Sequence, residues 1–461
     1  MKFHNIFLLL ASLLFSSCNP KPISKKYTDS KDEYVITNVS VLPMTSEVVL
    51  NNQDVHIRDG KIIKIGKVTP SKYATKIDGT GKFLMPGLTE MHAHIPVPRD
   101  GDDRLVMETL FLYLSQGVTN IRGMLGDPYH LGLREKAANG EILSPRIYTS
   151  SPSVNGRSTP TPEVAKDKIT RYQKEGYDFL KIHPGLTLET WDAIEATAKE
   201  VGIGYSGHVP TAVGIHRALE AKYKTIDHLD GYLEGLVPTS ENVDPNANGF
   251  FGYDFTNLMD EKLIDELVEK TLSNGVAVVP TQTLFTRWFS PTPTEELVNA
   301  PEMQYMGPGT RLAWLQSHQA LANPETFSKE QWERFVGLRK KLMKAMDKAG
   351  VTFLLGSDAP QVFNVPGFSI HHEMKDMADA GLSNFKILQS GTTNPADFFG
   401  ATGEYGVIKE GAAADLILVK GNPLEDLSNA QRIEGVMVGK EWLTEGFIIQ
   451  KLEEIAVKYR D

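Results

Sequence analysis

Phe83-Leu84-Met85-Pro86-Gly87-Leu88-Thr89-Glu90-Met91-His92-Ala93-His94 is the stretch on which the fold turns. It is an apolar, strand-like run that ends on two histidines one residue apart. Alternate residues of a strand face the same way, so both imidazoles leave the strand end on one side. Downstream the rhythm repeats. Apolar runs at 118–121, 146–149, 179–182, 203–207, 225–229, 276–279 and 352–355 alternate with helix-period segments at 107–116, 131–139, 162–175, 188–201, 213–221, 260–273 and 329–348. Continuous apolar strands between helices mean a parallel sheet buried on both faces. Eight such units fit an α/β fold of the (β/α)8 TIM-like barrel type better than an open, doubly wound sheet.

The flanks read differently. Residues 34–42, 48–57 and 61–65 are β-rich and punctuated by Pro43, Thr45-Ser46 and Asp59-Gly60, and strands return at 415–419 and 436–438. The expectation is a small β-sandwich domain built from residues 34–82 and 404–461 beside a barrel of residues 83–403. The segments after strands six and seven are long, and long loops in a compact domain are usually functional. Residues 280–326 carry Arg287, Trp288, Phe289, Tyr305 and Trp314 and read as a lid or pocket wall.

Residues 1–17 read as a signal peptide: Lys2, then an apolar run at 6–15 too short to span a bilayer. Phe15-Ser16-Ser17-Cys18 resembles a bacterial lipobox, with Phe15 where Leu is usual. Cys18 would then carry the lipid, and 18–33 would be a polar tether. The alternative is a plain secretory peptide. The expected place is the cell envelope, with the membrane reached through the lipid anchor only.

Composition removes several classes. Lys+Arg is 48 against Asp+Glu 58, a net charge of −10, which disfavours a general nucleic-acid binder. Hydrophobic residues are 41%, enough for a sizeable core, and one Cys forbids a disulfide scaffold. A homo-oligomer is compatible with the sequence.

Chemistry-bearing residues recur at the carboxyl ends of later strands: Lys181 in Phe179-Leu180-Lys181-Ile182-His183, His208 in Gly207-His208-Val209-Pro210, His228 after Ile226-Asp227, and Asp358 in Gly356-Ser357-Asp358-Ala359-Pro360. Barrel enzymes keep their active sites on that face, and imidazole is the commonest ligand of zinc-like metals. Each residue alone has a structural reading. Their recurrence at strands one, four, five, six and eight does not.

These pieces, with Gly411-Ala412-Ala413-Ala414-Asp415-Leu416, resemble the amidohydrolase superfamily of metal-dependent hydrolases over nearly the whole mature chain. Ser369-Ile370-His371-His372-Glu373-Met374 is similar to the imidazolonepropionase-related branch, which holds prolidase-like and other dipeptide-cleaving enzymes. The resemblance implies two divalent metal ions, with zinc expected, bridged by a carboxylated Lys181. His92, His94 and Asp358 would hold one and His208 and His228 the other, with Asp358 also carrying the catalytic proton. A protonated Lys has only donors and cannot ligate; burial favours the neutral amine, which can take up carbon dioxide.

His183 is a substitute ligand candidate, and Glu90 and Asp227 are candidates for orienting imidazoles. Tyr232 is a candidate for binding a substrate carboxylate or the oxyanion; Arg122, Arg157, Arg287, His371 and His372 are candidates for gripping a carboxylate. Relatives carry Gly-Gly-His after strand three; here stands Val154-Asn155-Gly156-Arg157-Ser158, which moves the expected acid recognition to Arg157. The expected activity is hydrolysis of an amide bond in a small molecule, a dipeptide or N-acyl amino acid. The alternatives are a mononuclear cyclic-amide hydrolase or deaminase of the imidazolonepropionase type, and an inactive ligand-binding lipoprotein.

Overall fold

A computed structural model describes residues 32–323 and 325–460. The expected signal peptide and tether, and Cys18 with them, lie outside the described residues apart from the tether's last two positions.

The opening stretch is divided between two sheets. Phe83–Pro86 runs antiparallel to Leu416–Val419, and Leu88–Ala93 begins the barrel. Gly87 makes the change of sheet possible, because a Cβ there would collide with the Thr119 side chain.

The barrel strands are parallel. Leu88–Ala93 pairs with Val118–Gly123, and that strand with Arg146–Thr149. A bridge from Ser150 to Phe179 carries the ladder on to Leu180–Ile182, Tyr205–Gly207, Thr225–Asp227 and Ala277–Val279. The eighth segment is nearly all irregular, but its backbone bonds to both neighbours. Leu354 N donates to the Val278 carbonyl (2.9 Å), Met91 N to that of Leu355 (2.8 Å), and His94 N to that of Ala359 (2.7 Å). The ring of hydrogen bonds thereby returns to the first strand, giving the expected TIM-barrel-like α/β fold.

The helices form where period and caps agree. Leu188–Val201 buries Trp191, Ile194 and Ala198 on one face, starts at a Thr187 side-chain cap and stops at Gly202 (φ 75°). Lys329–Ala349 uses Ser328 and Gly350 (φ 87°) in the same way. The helix faces and the barrel's outer side chains share one large core.

The two ends of the chain pair beside the barrel in one eight-stranded mixed sheet. Its order is Glu441–Thr444, Ile433–Val438, Leu416–Val419, Phe83–Pro86, Glu33–Val41, Leu50–Arg58 and Lys61–Ile65, with Thr75–Asp78 also on Glu33–Val41. It packs a core of its own around Ile36, Val55, Leu84, Leu418 and Met437. Among the described residues no helix is long and apolar enough to cross a membrane.

Candidate metal centre

The carboxyl ends of the barrel strands bring the six predicted ligands together. His92, His228 and Asp358 are buried, and one donor atom from each lies within 4.8 Å of the others. His94 Nε2 is 2.7 Å from Asp358 Oδ1, and His92 Nε2 is 3.6 Å from the same oxygen. The His208 ring lies 4.7 Å from that of His228. Lys181 is 1% exposed and its Nζ sits 3.4 Å from His92 Nε2. It passes beside Gly207, where a Cβ would come within 2.9 Å of Lys181 Cδ.

Three of the imidazoles are held from behind. Asp227 Oδ2 lies 2.8 Å from His92 Nδ1, and Asp227 is itself gripped by the buried Arg122 guanidinium at 3.2 Å. Asp230 Oδ2 accepts from His208 Nδ1 (2.8 Å), and Thr281 Oγ1 lies 2.8 Å from His228 Nδ1. Such partners fix the ring orientation and the tautomer. His228 (φ 65°) and Asp358 (φ 60°) have left-handed backbones, a conformation that costs energy and that clusters at functional sites.

Burial, with the charge of Lys181, pushes His92 well below its ordinary value. Burial also lowers Lys181 to about 8, against the pull of Asp227 and Asp358. Burial works to raise Asp358, but the nearby His92 and His94 outweigh it and keep the carboxylate ionised. The donor set therefore fits a divalent cation: imidazole nitrogens and an anionic carboxylate oxygen, close together and mostly out of water.

The second-tier candidates divide. His183 lines the cavity, its Nδ1 2.8 Å from Ser153 Oγ. Asp227 stands against the His92 imidazole, Oδ2 2.8 Å from Nδ1. Glu90 instead accepts from His92 N (2.9 Å) and from Ser357 N (2.8 Å), tying strand eight to strand one.

Other readings need correction. Tyr232 is fully buried and its hydroxyl pairs with Thr271 Oγ1 at 2.8 Å, outside the cavity. Arg157 is exposed and does not line the cavity. His371 Nε2 faces the Gln116 carbonyl (3.2 Å), because its helix, Phe368–Asp379, packs that side inward. His372 Nε2 lies 3.0 Å from Glu302 Oε1, to which Arg287 also donates at 2.9 Å. Arg122 has spent its guanidinium on Asp227.

Above the donors lies a cavity of about 840 Å³. Of the expected lid residues only Trp288 reaches it. Phe289 packs on Tyr253 and Phe335, Tyr305 stacks on Phe368, and Trp314 packs edge-on against Phe363. The wall comes instead from the segment after strand six, with Phe250, Phe251 and Phe255. The sequence reading missed these, along with Asp230 and Thr281. Asp230 had a visible signal, standing two residues after the ligand candidate His228; for the three phenylalanines the signal was only the length of the segment after strand six, and Thr281 had none.

Comparison with known proteins agrees with this geometry. The amidohydrolase family profile matches residues 83–443. A stretch of 139 residues is 28% identical to an adenine deaminase of Desulfitobacterium hafniense, covering 29% of this chain and 24% of that protein. Another, of 64 residues, is 38% identical to a dihydroorotase of Bacillus cytotoxicus, covering 14% of this chain and 15% of that one. The matches thus span about a quarter or less of those relatives' length. Among solved structures, a bottromycin amidohydrolase superposes with a TM-score of 0.70 at 20% identity over 93% of this chain and 91% of its own. A Xaa-Pro dipeptidase superposes with a TM-score of 0.63 at 19% identity over 89% and 100%. An ochratoxinase of A. niger gives 0.60 at 19% over 89% and 95%. These similarities show the shared fold. With the family profile spanning most of the chain and the donor set in place on the barrel face, the protein belongs to the amidohydrolase family.

Proposed function

We propose that this chain hydrolyses an amide bond of a small molecule, using two divalent cations, zinc foremost, held by His92, His94, His208, His228, Asp358 and a carboxylated Lys181. The observation that carries the reading is Lys181: a fully buried amine, 3.4 Å from His92 Nε2, in the midst of imidazoles. A buried ammonium there would repel cations, whereas a carbamate on the same nitrogen offers two anionic oxygens. Two divalent cations, when bound by these residues, would supply an acidified water and a polarised carbonyl.

The chain's own groups do the rest. Asp358, ionised and next to the donors, accepts the proton of the attacking water and delivers it to the leaving amine nitrogen. Asp227, Asp230 and Thr281 keep the imidazoles aimed while charge shifts around them.

One observation favours a second reading, hydrolytic deamination of a ring: the adenine deaminase similarity. A single screen separates them. Purified, zinc-loaded enzyme is offered dipeptides, N-acyl amino acids, cyclic amides and aminopurines. Turnover of the linear amides with two metals per chain supports the proposal; ammonia release from aminopurines with one metal per chain replaces it. Lys181→Ala should lose most bound metal by elemental analysis, and intact mass of the native protein should show one added carbon dioxide. We further propose that the chain is lipid-anchored at the cell envelope through Cys18; the support is the apolar run and the small residues before that Cys.

A further inference from the structure

After the sixth barrel strand the chain does not enter a helix directly. It crosses the carboxyl face in short 3-10 turns, Glu234–Leu236, Thr239–Glu241, Pro245–Ala247 and Phe250–Leu258. One aromatic ring, Phe251, comes down from this segment onto the donor histidines, with Phe250 packed behind it. The Phe251 ring is 5.6 Å from that of His228 and 5.9 Å from that of His208. Phe250 packs against Phe251 at 4.8 Å and edge-on against Trp288 at 5.2 Å.

The backbone holds this wall in place. Phe251 has φ 53° and ψ 44°, a conformation a bulky residue rarely adopts, between Gly249 (φ 68°) and Gly252 (φ 84°). A Cβ on Gly252 would come within 2.9 Å of Leu233 Cβ. Asn248 Nδ2 donates to Glu234 Oε1 at 2.7 Å, tying the turn to the segment's start. An aromatic residue pays for a left-handed backbone only where its ring is wanted in one place. Among the described residues no arginine lines the cavity, so no guanidinium is placed there to grip a substrate.

Resting on the amide-hydrolysis reading, we propose that Phe250, Phe251 and Trp288 form the pocket that selects the substrate, and that it takes an aromatic or branched apolar group on the carbon next to the scissile amide. The attachment point follows from distance. Phe251 lies within 6 Å of two ligand imidazoles, so a group resting on it hangs a bond or two from the reacting carbon. A pocket of this kind discriminates by apolar contact, roughly tenfold or more for a side chain against none.

Two measurements test this. In the first, zinc-loaded enzyme is given pairs of dipeptides and N-acyl amino acids that differ only in Phe or Leu against Gly beside the scissile bond. The bulky member should win in kcat/KM by ~10-fold or more. Phe251→Ala should shrink that ratio by a similar factor, and Phe251→Leu, which keeps an apolar side chain, should retain much of it. A preference for Gly, or equal losses on both members in Phe251→Ala, overturns the pocket assignment and leaves amide hydrolysis standing. The second measurement needs no turnover. By calorimetry L-phenylalanine should bind the zinc-loaded protein ~10-fold or more tighter than glycine, and Phe251→Ala should abolish the difference. Equal binding overturns the pocket assignment whatever the enzyme proves to cleave; absence of any amide turnover alongside selective phenylalanine binding would sink the amide reading alone.

Discussion

Arg122→Leu is the perturbation whose cost the structure sets most clearly. Arg122 and Asp227 are both 0% exposed. The guanidinium donates to both Asp227 oxygens at 3.2 Å, to the Met91 carbonyl at 2.6 Å and to Thr225 Oγ1 at 3.1 Å. It also lies 5.3 Å from the Phe179 ring and 5.5 Å from that of Phe398. Burial alone would raise the Asp227 carboxyl; the Arg122 charge is the main reason it is instead lowered. Removing that charge leaves a buried carboxylate uncompensated, which costs about 3–5 kcal/mol. Asp227 keeps the Thr225 hydroxyl at 2.7 Å and His92 Nδ1 at 2.8 Å, so the lower end of that range, about 3 kcal/mol, is the expectation.

The assay is urea unfolding of the chelator-treated protein, followed by circular dichroism, for wild type, Arg122→Leu, Asp227→Asn and the double variant. Asn carries no charge, so Arg122→Leu with Asp227→Asn should cost clearly less than the two single losses added together. Arg122→Lys should fail to rescue, because one ammonium cannot span a carboxylate, a carbonyl and a hydroxyl held around a planar fork. A loss below about 1 kcal/mol in Arg122→Leu, or strict additivity in the double variant, would refute the coupling.

Asp358→Asn keeps the shape and a ligand oxygen but cannot take a proton, so kcat should fall by ~10²-fold or more; near-normal kcat would assign the proton to another group. Burial works to raise the Glu302 carboxyl, but hydrogen bonds from His372 and its own backbone, with the Arg287 charge, hold it down to about 2. A depressed carboxylate contributes stability that is complete above its unfolded value, near 4.5, and is lost as pH falls toward 2. Glu302→Gln should therefore be less stable than wild type at neutral pH and converge on it in acid; a gap that stays constant down to about pH 3 contradicts the linkage. Cys18→Ser should move the protein from the membrane fraction to the soluble fraction, since a diacylated Cys supplies two anchoring chains; a wild type that already fractionates as soluble would remove the anchor.

The barrel and the donor cluster on its carboxyl face were legible because both follow from periodicity. A strand buried on both faces must be apolar along its length, so a polar residue at its carboxyl end stands out, and the fold itself gives that position a meaning. Lys181, His208, His228 and Asp358 each stand at or just past an apolar run, and the barrel closure brings them to one cavity. The eighth strand was legible too, although only Phe353 in it forms a ladder bridge with strand seven, because an apolar run reports burial more directly than it reports hydrogen bonds. Loops carry no such period. The wall at Phe250 and Phe251 depends on left-handed backbone at Phe251 and Gly252 and on a bond from Asn248 to Glu234, none of which spacing reveals.

The arginines explain the harder failures. Sequence reasoning assigned guanidinium groups to a substrate's carboxylate, and its chemistry was sound: Arg122 and Arg287 do hold carboxylates, those of Asp227 and Glu302. Whether a guanidinium serves the ligand or the fold depends on which carboxylate the fold sets beside it, and that carboxylate stands 105 residues away in the chain for Arg122 and 15 for Arg287. Arg157 fails for the opposite reason, standing exposed on a turn with no route into the cavity. With Arg122 and Arg287 committed and Arg157 outside, the argument for a free α-carboxylate on the substrate loses its support. What remains at the cavity is an aromatic wall whose Phe251 ring lies within 6 Å of those of His208 and His228. Specificity on this scaffold then rests on apolar fit, which grades substrates by size, and not on a charged clamp, which would reject those lacking the charge.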